Sequence, residues 1–378
     1  MTAQRIAALD VLRGIAILGT LGTNIWIFTD PLGAAGFLAT PSPDTAGGFT
    51  EIVLRLLANG KFLALLSILF GVGLEIQYRS ARKRGARWPG WYLWRSALLL
   101  VEGLVHYVLI FEFDVLMYYA VVSILVAFLV SRSERVLRAW LIGTAVLYVG
   151  AISLLTYTRS TGQAGPIPTP STSDWLTGVA DRLTMAGTYR AEAFLVIPLS
   201  FVLFLAGSLL MRAGALEDSA RGRRIQLKLA KFGLGLGIPL DLLAGFSGGN
   251  WFFAERYLAA PVVALGLLGL ITRLVHRMRQ EPGLIRTGLT SIGRTALSCY
   301  VTQNLLAGAF CYGWGLGLAA TLNDARPWWV AGFYVFLCAL LMTLATWWSR
   351  RFSRGPVELA WQWAYLAPQR KKAVTPAS

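Results

Sequence analysis

Ten stretches of about twenty mostly apolar residues recur along this chain, and they constrain its fold more than any other feature. They fall near 14–29, 53–77, 92–111, 115–131, 138–157, 193–212, 229–247, 257–275, 289–311 and 328–349. A run of that length crosses about 30 Å of hydrocarbon as a helix. Strands are disfavoured, because an open sheet leaves its backbone polar groups unsatisfied in lipid. The expectation is an all-α, polytopic transmembrane helix bundle of about ten spans, forming one membrane domain over 1–378. Composition agrees, with 56% hydrophobic and 14% charged residues against roughly 25% charged in an average soluble domain. With a mean hydropathy of +0.57, a disordered protein, a coiled coil and a disulfide-stapled secreted domain are excluded. Cys299, Cys311 and Cys338 lack metal-ligand spacing and read as thiols buried in helices.

The net charge of +16 on a soluble protein would suggest nucleic acid. Here the basic residues punctuate the apolar runs, so they report topology and imply no nucleic-acid partner. One set of alternate loops holds Arg82, Lys83 and Arg84, then Arg132, Arg135 and Arg138, then Arg221, Arg223 and Arg224, then Arg273, Arg277 and Arg279. The opposite loops carry only Arg159, Arg182, Arg190, Arg256 and Arg326 outside the helices. Lysine and arginine are retained in the cytoplasm, so both termini are expected there, with 350–378 a cytoplasmic tail and the protein in a bacterial cytoplasmic (inner) membrane. The first run is preceded by Asp10 and Arg13 and lacks a cleavage site before Pro31, so it reads as a retained helix. An exterior segment, 158–192, divides five runs from five. It opens on a Ser/Thr/Gly/Pro-rich loop around Pro166, Pro168 and Pro170 and closes on an amphipathic stretch, Asp174 to Tyr189.

Ionisable groups at membrane depth are costly and are functional candidates by default. Within the runs these are Glu75, Glu102, His106 and Asp241; Asp10, Arg13, Arg55, Lys61, Arg95, Arg294 and Glu358 lie near the interfaces. Asn24 and Gln303 are the strong uncharged members. Asp10 and Arg13, spaced i, i+3, favour a local ion pair that anchors a helix end. Glu102 and His106 are spaced i, i+4 and share one helix face. His106, followed by Asp114 at the tight Phe111–Asp114 hairpin, reads either as a general base or as a structural histidine between helices. Gly71 and Gly73 read as close helix contacts. No phosphate-binding loop, dinucleotide fingerprint, nucleophile elbow or metal-ligand cluster is present.

The blocks Leu9-Asp10-Val11-Leu12-Arg13-Gly14 with Asn24, Phe62 to Gly73, Gly103 with His106 and Asp114, Gly293-Arg294 to Gln303, and Gly355-Pro356-Val357-Glu358 with Trp361 occur in order over nearly the whole chain. Together they resemble the YeiB-like bacterial membrane proteins, domain-of-unknown-function family 418. In detail Cys299 stands where that family often has Asn, Asn304 where it often has Ser, and Gln362 where it often has Arg. The family is similar in turn to the transmembrane acyltransferases, including the heparan glucosaminide acetyltransferases. In the bacterial acyltransferases the first helix carries an arginine, ten residues and a histidine; here the ten residues after Arg13 lead to Asn24. The heparan-type enzymes also place Asn there, and then a histidine shortly after the helix, where this chain has none.

The resemblance implies an acyltransferase using acyl-CoA, acetyl-CoA in the first instance, as co-substrate and no metal. The acceptor would be an exterior glycan, lipid or small molecule. His106 would then be the base, oriented by Glu102 or Asp114; Asn24 would polarise the thioester, and Arg13, Arg95 and Arg294 would meet CoA phosphates. Asp10, Gly14, Gly71, Gln303 and Glu358 would be structural members of the motifs. The heparan-type relatives admit a homodimer. Two other readings stay open. One is a proton-coupled transporter with Glu102, His106 and Asp241 as relay; the other is a non-catalytic membrane scaffold binding lipid or a partner.

Overall fold

The computed structural model describes residues 7–39, 41–161, 171–278 and 283–373, and among them every regular element is helical. The Ser/Thr/Gly/Pro-rich loop expected around Pro166, Pro168 and Pro170 lies outside the described residues. Fourteen longer helices carry the fold: α1 (Ala7–Phe28), α2 (Ala46–Ala58), α3 (Lys61–Lys83), α4 (Trp91–Leu109), α5 (Leu116–Leu129), α6 (Glu134–Thr161), α7 (Trp175–Thr184), α8 (Ala193–Ala213), α9 (Ala220–Phe246), α10 (Ala260–Arg277), α11 (Leu284–Arg294), α12 (Ala296–Cys311), α13 (Trp328–Ser349) and α14 (Pro356–Ala373).

Seven helical stretches among the described residues are long and apolar enough to cross a membrane, which makes this a membrane protein. The expected ten runs all fall mainly on helix, but three miss that measure for different reasons. Helix α4 is diluted by Arg95, Glu102 and His106. Helix α5 has 14 residues, about 21 Å at 1.5 Å per residue, short of the hydrocarbon thickness. The run at 289–311 is broken at Thr295, where φ −115° and ψ 35° leave the helical region between α11 and α12. A second break, at Asn59-Gly60, separates α2 from α3; Gly60 has φ +70°, and a Cβ there would run into the Arg256 carbonyl.

Helix α1 is the hub. Its crossing stretch is 83% buried, against 17% for α6, 22% for α9 and 28% for α13, and it touches α2, α3, α10, α11, α12 and α13. The outward faces of the peripheral helices carry exposed apolar side chains such as Leu147, Phe232 and Val335, as a lipid-facing surface requires. Small residues set the closest crossings. A Cβ on Gly14 would strike the Leu289 carbonyl of α11, and one on Gly71 would strike the Phe204 backbone of α8. Gly71 is thus a packing residue, as its setting in the sequence suggests.

Two segments beyond the long runs close the ends of the bundle. Helix α7, capped by Asp174 accepting from Thr177 N at 2.7 Å, lies across the C-terminal end of α4. Trp175 Nε1 donates to Leu109 O and Arg182 Nε to Val108 O, both at 2.9 Å, satisfying carbonyls that a helix end leaves free. At the other end α14 turns back onto α4 and α12, so the C-terminal segment is a docked helix over Pro356–Ala373.

Candidate active site

The α4–α5 turn is held in a fixed shape, and this positions Asp114. Ile110 N and Phe111 N donate to His106 O at 2.9 and 3.0 Å. Arg190 donates to the Asp114 carbonyl at 3.0 Å and also to the Glu112 carbonyl. Asp114 Oδ2 accepts from Met117 N at 3.2 Å. Gly103, one turn before His106, leaves the space that Met117 N and Asp114 Oδ2 approach. The Asp114 carboxylate is thereby turned toward the His106 ring, with Nδ1 and Oδ1 3.1 Å apart, off the line of a straight hydrogen bond. A carboxylate there favours the proton on Nδ1, leaving Nε2 as an acceptor.

Nε2 is met by Asn304 of α12, whose Nδ2 stands 3.2 Å away. Asn304 Oδ1 in turn accepts from Asn24 Nδ2 of α1 at 3.2 Å. Tyr300, one turn earlier on α12, donates its hydroxyl to Asp114 Oδ1 at 3.3 Å, and its ring lies 5.0 Å from the imidazole. Asn24, Asn304, His106, Asp114 and Tyr300 therefore form one continuous polar chain across α1, α12, α4 and the turn. His106 and Tyr300 are each 2% exposed, and Asp114 and Asn304 fully buried. Such a chain is maintained inside an apolar bundle because each lost partner would leave a buried polar atom unpaired.

Glu102 does not join it. Both of its carboxylate oxygens are buried without a hydrogen-bond partner; the carboxylate beside the His106 ring is that of Asp114. Gln303 faces another way and donates to Thr20 Oγ1 at 3.4 Å. Asp241 pairs with Lys61 at 2.8 Å, in a separate network with Asn59, Glu255 and Arg256.

Two cavities meet at Tyr300. The first, about 360 Å³, brings together Arg13, Arg95, Arg294 and Arg354, with Gln77 and Trp361 on the wall. The three arginines singled out from the sequence thus converge on one chamber. Arg95 stacks over Trp361 at 4.7 Å, while Arg294 Nε is 4.0 Å from Asp10. Glu358 also lines this chamber, but its charge is engaged: it accepts from Leu297 N at 2.8 Å and Ser298 N at 3.3 Å, and from the Ser298 hydroxyl. It caps the new helix start that the break at Thr295 creates. The second cavity, about 440 Å³, touches Asn24 and Tyr300 at one end and runs out past Leu195, Phe253 and Arg256. His106 and Asn304 line neither; Tyr300, whose ring lies 5.0 Å from the imidazole, borders both.

Tyr300 and Asn304 fall in or beside a motif block of the sequence, which assigned neither a role. Their i, i+4 spacing on one face of an apolar helix was the available signal. Glu192, Arg256 and Tyr257, joined on the wall of the second cavity by hydrogen bonds of 2.7 and 3.3 Å, carried no such signal: the first two are charged residues beside a run and the third a tyrosine at a run's start.

The fold and site define a polytopic helical membrane protein with two internal chambers. The model of the family described as protein of unknown function (DUF418) matches residues 210–367, a span that includes Arg294, Tyr300, Asn304 and Glu358. An uncharacterized protein of Bacillus subtilis (strain 168), YxaH, is 26% identical over 98% of this chain and 96% of its own length. YeiB, an uncharacterized protein of Escherichia coli (strain K12), is 26% identical over 95% of this chain and 96% of its own. An uncharacterized 39.9 kDa protein of Bacillus acidopullulyticus, from an amylase 3′ region, is 30% identical over 28% of each chain. The chain is thus similar to YxaH and YeiB over nearly its whole length, and its C-terminal part matches the DUF418 family model.

Proposed function

We propose that this protein is an acyltransferase of the bacterial cytoplasmic membrane, moving an acyl group from acyl-CoA to an acceptor that enters from the other face. The observation that carries this reading is the pair of cavities separated by Tyr300, one lined by four guanidinium groups and the other adjoining the Asn24–Asn304–His106–Asp114 chain. Guanidinium groups suit phosphates through charge-assisted, bidentate hydrogen bonds, and Trp361 and Tyr92 offer aromatic faces beside them. The positive-inside distribution of lysine and arginine supports a cytoplasmic position for that chamber.

In this reading the acceptor's hydroxyl replaces Asn304 as donor to His106 Nε2. His106 takes that proton as the acceptor oxygen bonds to the thioester carbonyl carbon. The carbon–sulfur bond then breaks, and His106 returns the proton to the departing thiolate. Asp114 holds Nδ1 and stabilises the imidazolium. Asn24 and Tyr300 position Asn304 and Asp114 and so act through them.

Membrane vesicles of known orientation test the reading, because acyl-CoA does not cross a bilayer. Acetyl-CoA added to inside-out vesicles is expected to release free CoA, and the same addition to sealed right-side-out vesicles is not. Equal release from both, or from neither, contradicts it.

A second reading, transport, draws on the two helix breaks at Asn59-Gly60 and Thr295, since discontinuous helices build substrate sites in many transporters. It predicts a flux that follows the pH gradient and is lost in Glu102→Gln.

A further inference from the structure

The second cavity has walls that a free sugar would not select. Phe37, Phe113, Leu155, Leu195, Phe252 and Phe253 surround it; its polar groups include Thr20, Thr23 and Asn24 of α1, and Thr188, Glu192 and Arg256. Transferring hydroxyl groups from water onto such walls costs free energy unless each finds a partner, whereas a hydrocarbon chain gains by leaving water. At about 440 Å³ the space falls within the range of pockets that enclose a whole small ligand.

Its outer end lies at the lipid-facing side of the bundle. Phe194, on the wall, is 84% exposed. Leu155 and Arg159 belong to α6, the least buried of the crossing helices, and the neighbouring Leu154 and Tyr157 are exposed. Arg159, in the last turn of α6, sits over the Phe253 ring at 5.5 Å. At the inner end, Tyr300 is tied to Asp114 and divides this space from the arginine chamber.

We infer that the second cavity takes an amphiphile from the bilayer: a hydroxyl-bearing polar head lies against Asn24, Glu192 and Arg256, and a hydrocarbon chain leaves past Leu195 and Phe194 between α6 and α8. Resting on the acyltransferase reading, this makes the acceptor a lipid-tailed alcohol in place of a soluble sugar. The same hydrocarbon chemistry could come from a long acyl chain on the donor; the closed position of Tyr300 favours the acceptor.

The test is photolabelling of the full chain in nanodiscs with dodecyl glucoside carrying a diazirine in its alkyl chain. Label is expected on the peptides that hold Leu155–Arg159 and Phe194–Leu195. Unlabelled dodecyl glucoside should compete, and glucose should not. Leu195→Trp fills the cavity and should lower labelling there about tenfold; Ala191→Phe, on the same wall, serves if that variant does not fold. Label spread over the outer faces of α6, α9 and α13 and indifferent to both variants overturns the inference. So does equal competition by glucose, or labelling of the cavity by a diazirine-bearing long-chain acyl-CoA but not by the glycolipid. Photolabelling reads the cavity and CoA release reads the transfer, so the two proposals fail separately.

Discussion

Asn304 Nδ2 stands 3.2 Å from His106 Nε2, the one ring nitrogen that Asp114 leaves free to accept a proton. In the resting protein the candidate base is therefore covered by a residue from a helix almost two hundred positions away in the chain. An acceptor hydroxyl that displaces Asn304 finds the lone pair already aimed at it. Water reaches the base only when Asn304 moves aside, which would slow hydrolysis of the donor without abolishing it.

Removing that cover has a direct consequence. Asn304→Ala should raise CoA release in the absence of acceptor by a few-fold to about tenfold, the worth of one hydrogen bond. A release assay with acetyl-CoA alone reads it. A drop to background would mean that Asn304 itself takes part in transfer.

Asp114→Asn keeps the shape but removes the charge beside Nδ1. The turnover rate should fall on the order of 10²–10⁴-fold while donor binding is retained. Glu102→Gln should change it far less, because Glu102 makes no contact with the imidazole. Steady-state kinetics on the two variants distinguish the roles that sequence spacing alone left joined.

The arginine chamber makes a separable prediction. Arg95→Gln or Arg294→Gln should raise KM for acyl-CoA about ten- to a hundredfold with a smaller effect on kcat, each removing one charge-assisted contact. Titration calorimetry in nanodiscs gives the same comparison without turnover. A change in kcat with KM unaltered would place these side chains elsewhere in the cycle.

A stability prediction concerns the network away from the site. Lys61 and Asp241 are paired at 2.8 Å with both side chains almost wholly buried. Lys61→Met leaves a buried carboxylate uncompensated and should cost about 3–5 kcal/mol. Adding Asp241→Leu should recover much of it, as a thermal melt in detergent can show. If the single variant melts like the wild type, the pair contributes nothing.

Much of the architecture was legible in the sequence, because apolar length and basic punctuation act locally. His106 could be nominated because an ionisable group at membrane depth needs a purpose, while Asp114, Arg13, Arg95 and Arg294 take their expected roles from the family resemblance. What spacing could not supply was the partner set. Glu102 shares a helix face with His106, yet the turn held by Arg190 delivers Asp114 instead. Tyr300 and Asn304 reach the imidazole through the packing of α12 against α1, which depends on contacts far apart in the chain. The breaks at Asn59-Gly60 and Thr295 were equally hidden, since hydropathy averages across a one-residue change of backbone direction.

The account turns on His106. The most direct measurement is acetyl-CoA binding and acceptor-free CoA release by the purified protein in nanodiscs, wild type beside His106→Ala, with thermal melts confirming that both are folded. The account predicts saturable binding to both and release by the wild type alone. Equal release by the two folded proteins, or no binding of any acyl-CoA to the wild type, would contradict it.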